Sequence, residues 1–261
     1  MRERTSRHDG EPAAHPMTLS YRYEDGERLA SLLWRFGPGW RMISSAVLGG
    51  GIGPREWVLN AQVASGYRRL DPADHLRELG PDGPGVGMMT VAHADRYVRR
   101  CDGGVEAVAT VGLRHPTWAA APPDAADPIL EPGGEVRHAP PRAGDAAPDG
   151  GGPGHDGRAP VPGTINILVV VPVAMCDAAL VNTVMTVTEA KTQALAETGF
   201  PGTGTASDAV CVAVRDDGPK EPFGGPRSAW GARIARAVHA AVLDGVRDWH
   251  RGPRRRARPR R

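Results

Sequence analysis

Gly163-Thr-Ile-Asn-Ile-Leu-Val-Val-Val-Pro172 is the stretch on which the fold turns. Residues 165–171 are apolar on both parities apart from Asn166. A strand with one face in water alternates, whereas a strand covered on both faces reads as a continuous apolar run. The segment is therefore expected at the centre of a sheet. Downstream, Asp177 offers an N-cap to a helix running to Thr198, and Gly199 suits the position just past its end. Ala209–Val214 reads as a short buried strand, and Ser228 as the N-cap of a final helix to Trp249.

Upstream, strands are expected at Trp40–Leu48, Glu56–Val63, Gly85–Thr90 and Val105–Leu113. Met17–Phe36 reads as an amphipathic lead-in and His93–Arg100 as helical. In Glu56–Val63 the residues Trp57, Leu59, Ala61 and Val63 share one face, while Glu56, Asn60 and Gln62 look toward water or a site. Strands come first in a run and later alternate with helices, without a repeat. The pattern implies one α+β domain, a mixed β-sheet with packed helices.

The 261 residues are 40% hydrophobic, enough for a real core, but only 5% aromatic, so Val, Leu, Ile and Ala must fill it. The 34 glycines and 25 prolines concentrate in particular segments. Residues 17–250 are read as the domain, with 119–161 as a disordered insertion rich in Pro, Gly and Ala. Residues 1–16 and the Arg-rich 251–261 are read as disordered ends. The basic excess sits mainly in these arginines, and without basic stripes elsewhere they read as a solvated tail rather than a nucleic-acid site.

Cys101, Cys176 and Cys211 have no CxxC spacing and cannot all pair, which favours a reducing, cytoplasmic setting. The longest apolar run, Ile165–Met175, is too short to span a bilayer. No histidine or cysteine spacing suits a metal, and His138 and His155 stand alone, so neither metal nor cofactor is identified. An exposed strand edge could support a homodimer.

The chemistry is expected in glycine-associated polar loops. Pro201-Gly-Thr-Gly-Thr-Ala-Ser-Asp-Ala-Val210 sets Thr203, Thr205, Ser207 and Asp208 where a tight connector would suffice. On the preceding helix Leu180, Val184 and Val187 form an apolar stripe, and Lys191 falls on the same stripe. Lys191 there is either snorkelling or part of a site. Glu189 lies on the polar side with Asn182, and two residues so spaced diverge from Lys191.

Several segments, taken in order, resemble the adenosylcobinamide amidohydrolase family. They are Ser44-Ser-Ala-Val-Leu-Gly-Gly-Gly-Ile-Gly53, Val86-Gly-Met-Met-Thr90, Ala109-Thr-Val-Gly-Leu113 and Pro162-Gly-Thr-Ile-Asn-Ile167. Ala179-Leu-Val-Asn182, Thr188-Glu-Ala-Lys191, Thr203-Gly-Thr-Ala-Ser-Asp208 and Gly224-Gly-Pro226 complete the set. The resemblance covers about residues 40–118 and 162–245. It implies an amidohydrolase that cuts the linear amide between the corrin propionyl chain and aminopropanol, giving adenosylcobyric acid in corrinoid salvage. It also implies a site in which Thr205 or Ser207 attacks or positions water, Asp208 or Glu189 is the base, and Lys191 donates a proton or stabilises charge. Asn60, Thr90, Asn166, Asn182, Thr203, Gly50 and Gly51 would line the corrinoid, the one small-molecule partner expected. Cys176, before a helix N-terminus, is the alternative nucleophile. A corrinoid carrier or sensor without hydrolase activity is the alternative function.

Overall fold

A computed structural model describes residues 16–122, 125, 127–133, 136–137 and 163–252. The expected disordered segments, 1–16, 119–161 and 251–261, lie largely outside the described residues, as do His138 and His155.

The chain opens with a hairpin, not an undivided lead-in. β1 (Met17–Glu24) and β2 (Glu27–Arg35) pair antiparallel across Asp25-Gly26. Both turn residues have positive φ, 51° and 78°, the type I′ geometry that Asp-Gly favours because its twist matches the strands. β3 (Trp40–Ser44) and β4 (Gly51–Pro54) form a second antiparallel pair. β5 (Trp57–Gln62), α1 (Pro72–Leu79) and β6 (Gly85–Thr90) follow, with β5 and β6 parallel.

The stretch expected to be helical at 93–100 is a single 3-10 turn at Ala94–Arg96 and then β7 (Val98–Asp102). Gly103-Gly104, at φ 51° and 93°, turns the chain into β8 (Val105–Gly112), and that hairpin overrides the helical pattern. β9 (Ile129–Leu130) and β10 (Val136–Arg137) make a two-stranded ladder. β11 (Thr164–Met175), α2 (Asp177–Glu197), β12 (Ala209–Arg215), β13 (Lys220–Glu221) and α3 (Ala229–His250) complete the order.

Two mixed sheets result. One runs β1-β2-β5-β6; the other runs β4-β3-β12-β11-β8-β7, with β13 beside the end of β11. β11 sits between parallel β12 and antiparallel β8, as its two apolar faces require. Ile165, Ile167, Val169 and Val171 pack under Leu180 and Val187 of α2 and Ile234, Val238 and Val242 of α3. Leu168 and Val170 point the other way, toward Leu32, Trp34, Val58 and Met88 of the first sheet. Trp57, Leu59 and Ala61 pack outward with Leu76 of α1. The layers are thus α1, sheet, sheet, and the α2–α3 pair, an α+β domain.

This stacking corrects the reading of β5. Its second face, carrying Asn60, meets the other sheet instead of water, and Asn60 and Gln62 are 2% and 7% exposed. Their polar groups are tolerated because they are bonded: Asn60 Nδ2 donates to Thr110 Oγ1 at 3.0 Å, and Gln62 Oε1 accepts from the Ala30 amide at 3.2 Å.

Helix ends follow their sequences with one correction. Ser228 Oγ accepts from the Gly231 amide at 3.0 Å, capping α3 as expected. The N-cap of α2 is Cys176, and Asp177 is its first helical residue. There Asp177 pairs with Arg41 at 2.7 Å, favourable at a helix start though not a cap. Gly199, at φ 71°, lies just past the α2 C-cap.

Candidate active site

Polar residues gather at one end of the sheets. The ends of β5, β6 and β8 and the starts of β11 and β12 meet there, with Asn166 opposite Thr110 on one side and Ala209 on the other. The loop 203–208 enters β12 at that end, and α2 passes beside it.

Asp208 is the hub. Its Oδ1 accepts from the Ile165 amide at 2.8 Å and from Thr205 Oγ1 at 2.5 Å. Its Oδ2 accepts from the Thr205 amide at 3.1 Å and from Lys191 Nζ at 2.5 Å. The Lys191 and Asp208 side chains are only 11% and 12% exposed. Lys191 is therefore not snorkelling. It is carried inward on the buried face of α2 to meet a carboxylate that the loop presents.

Gly204 makes room for this pair. A Cβ at that position would collide with Asp208 Oδ2 and with Lys191 Nζ. Glycine is the residue that lets the backbone approach so closely.

The hydroxyls divide into distinct roles. Thr205, 8% exposed, is bonded to the carboxylate. Ser207 is exposed; its Oγ pairs with Thr164 Oγ1 at 2.8 Å and with Gly163 O at 3.0 Å, not with a base. Thr203 Oγ1 accepts from the Ala119 amide at 3.0 Å and braces the loop from outside.

Glu189 stands on the exposed side of α2, and among the described residues no hydrogen bond or ion pair joins it to the cluster. The divergence expected of residues two apart on a helix is what separates it from Lys191.

Asn60 and Asn166 come together as a second network. Asn166 Nδ2 donates to Asn60 Oδ1 at 2.9 Å and to Met89 O at 2.8 Å, while its buried Oδ1 has no hydrogen-bond partner among the described residues. Thr90 Oγ1 accepts from the Ala92 amide at 3.0 Å and closes the turn after β6. Thr110 and Thr164 complete these networks. They were missed as site residues, although Thr110 interrupts the apolar parity of β8 and Thr164 opens β11.

Other expected residues lie apart. Asn182 is nine positions before Lys191 on α2, on the order of 13 Å along the helix, where its Oδ1 faces Gly225. Cys176 is at the far end of β11, with Sγ 3.8 Å from Pro222 O. Gly50 lies exposed in the loop between β3 and β4, and Gly51, also exposed, opens β4. Gly50 is turned against Ala46, with a would-be Cβ 2.6 Å from its carbonyl. That loop reaches the same sheet end, because Ser44 Oγ and the Ser45 amide both donate to Val210 O, at 2.9 and 3.0 Å.

A cavity of about 270 Å³ lies next to the cluster, between the end of α3 and the turn after β6. Gly163 is on its wall, whereas Asp208, Lys191 and Thr205 are not. Among the described residues no group of three or more His, Cys, Asp or Glu side chains could hold a metal ion, and no helix is long and apolar enough to cross a membrane.

A hydroxyl bonded to a carboxylate that is itself bonded to an ammonium is equipment for acyl transfer. Sequence comparison agrees with that class: residues 16–253 match the family described as adenosylcobinamide amidohydrolase, and the chain belongs to it. An adenosylcobinamide amidohydrolase of Halobacterium salinarum is 34% identical over 188 residues, 72% of this chain and 64% of that protein. One of Methanosarcina mazei is 38% identical over 93 residues, 32% of this chain and 46% of its own length. The chain thus covers less than two thirds of either relative.

Proposed function

We propose that this chain hydrolyses the amide between the corrin propionyl group and the aminopropanol of adenosylcobinamide, giving adenosylcobyric acid for cobalamin salvage. Family membership supports the substrate. The observation that carries the chemistry is the direct contact of Thr205, Asp208 and Lys191 in one nearly buried cluster.

Thr205 Oγ attacks the amide carbonyl carbon and passes its proton to Asp208 Oδ1. Lys191, whose charge faces the site, stabilises the oxyanion and gives a proton to the departing aminopropanol nitrogen as the C–N bond breaks. The proton on Asp208 returns to Lys191 across their contact. Water then hydrolyses the Thr205 ester, releasing the carboxylic acid and restoring the hydroxyl. The substrate approaches over Ala206 and Ser207, both exposed at the tip of the loop. The geometry favours Thr205 over Ser207 and Asp208 over Glu189, because only the favoured pair is in contact.

A cytoplasmic setting belongs to the same proposal, supported by three cysteines without CxxC spacing. A homodimer, if formed, would use the open edge of β1, where Leu19, Tyr21 and Tyr23 are exposed.

The test is substitution in folded protein. Thr205→Ala and Asp208→Asn are each expected to lower kcat/KM for aminopropanol release at least about 100-fold, the scale of a positioned proton-transfer group. Ser207→Ala and Glu189→Gln should stay within a few-fold of the parent. Unimpaired turnover in both Thr205→Ala and Asp208→Asn would remove the cluster from the reaction.

A further inference from the structure

We infer that the apolar shelf formed by Trp118, Ala119–Ala121, Pro122 and Ala125 is the docking surface for the flat corrin macrocycle, with Trp118 as a residue that determines specificity. The inference rests on the amidohydrolase reading and extends it from the reacting bond to the ring that carries that bond.

The shelf is built rather than accidental. Two backbone hydrogen bonds brace it: the Ala121 amide donates to Trp118 O at 3.1 Å and the Ala125 amide donates to Pro122 O at 3.0 Å. It is locked to the loop of the candidate site. The Thr117 amide donates to Gly204 O and the Thr203 amide donates to Thr117 O, both at 2.9 Å. Thr117 Oγ1 is in turn held by Asp127 Oδ2 at 3.0 Å. Thr203 forms part of the shelf wall, and it lies two residues before Thr205.

The surface itself is open, about 520 Å³, and among the described residues its lining side chains other than Thr203 are apolar. Trp118 is 54% exposed, among the largest apolar side chains left to solvent. A half-exposed indole continuous with an apolar surface beside a reactive cluster is the kind of patch that marks a binding site. The shape of the surface decides the occupant. An open face whose described side chains carry no charge suits a rigid ring system bearing methyls and neutral amides. The reacting amide hangs from the rim of that ring on a short chain, so a ring seated here would bring the amide to the neighbouring loop. An extended peptide would instead call for an open strand edge or regularly placed pockets, which the described residues of this shelf do not form.

The probe is cobyric acid, which has the macrocycle without the scissile amide, titrated into the full chain and followed by tryptophan quenching and the corrin absorbance. Trp118→Ala is expected to weaken binding about tenfold, the loss of one stacked aromatic, and Trp118→Phe to restore most of it. With adenosylcobinamide the same Ala variant should raise KM about tenfold while kcat stays within twofold. Phe223→Ala, also exposed but remote from the loop, should change none of these. Cobyric acid affinity within twofold of the parent in Trp118→Ala would overturn the inference, even with hydrolysis intact. Corrin binding that depends on Trp118 without aminopropanol release would support the shelf while refuting the amidohydrolase reading.

Discussion

Asp208 accepts four hydrogen bonds, two from backbone amides and two from the side chains of Thr205 and Lys191. Such a carboxylate ties its loop to the start of β11 and to α2. Lys191→Ala leaves a nearly buried carboxylate without its counter-charge, a loss of about 3–5 kcal/mol for a buried pair. Denaturant unfolding of that variant measures it, and a cost below about 1 kcal/mol would mean that the two amides alone hold Asp208. The misfit of Lys191 on an apolar helical stripe was legible in the sequence. Its partner was not, because helical periodicity relates residues within one helix and Asp208 lies 17 positions away across a loop. Glu189 was a reasonable candidate by type alone, but it faces solvent.

Among the elements, β11 and α3 were the most legible, since an apolar run and a capped 3.6-residue stripe each specify one arrangement. Ser228 caps α3 through Gly231, and Ser228→Ala should cost about 1 kcal/mol in thermal or denaturant unfolding. An unchanged midpoint would show that the hydroxyl bond adds nothing there. The strands at 17–35 and 98–102 were misread because their deciding signals are turns. Asp25-Gly26 and Gly103-Gly104 set hairpin register through positive φ, whereas the side-chain patterns on either side suit more than one structure. The buried face of β5 was unreadable for another reason. Asn60 looks solvent-facing until a second sheet, formed by distant segments, covers it.

At the scale of the whole molecule, the α2–α3 layer is tied to the β7–β8 hairpin by ion pairs, among them Arg236 with Asp102 at 2.7 Å. Hydrogen bonding from Arg236 holds the Asp102 carboxyl below its ordinary value of 3.8. A carboxyl depressed in the folded state contributes stability above its unfolded value and loses it as the pH falls through the lower folded value. Arg236→Ala should therefore be less stable than the parent at neutral pH, with the gap closing as the pH drops below about 3.8. A gap independent of pH would mean that Arg236 acts by packing instead. The layers also bring the loop 203–208, the Lys191 turn of α2 and the Trp118 segment to one end of the sheets. The most direct measurement is mass spectrometry of adenosylcobinamide incubated with the purified full chain. Equimolar aminopropanol and adenosylcobyric acid, formed by the parent and lost in Asp208→Asn, is the expected result. Corrinoid recovered intact from folded, corrinoid-binding protein would contradict it.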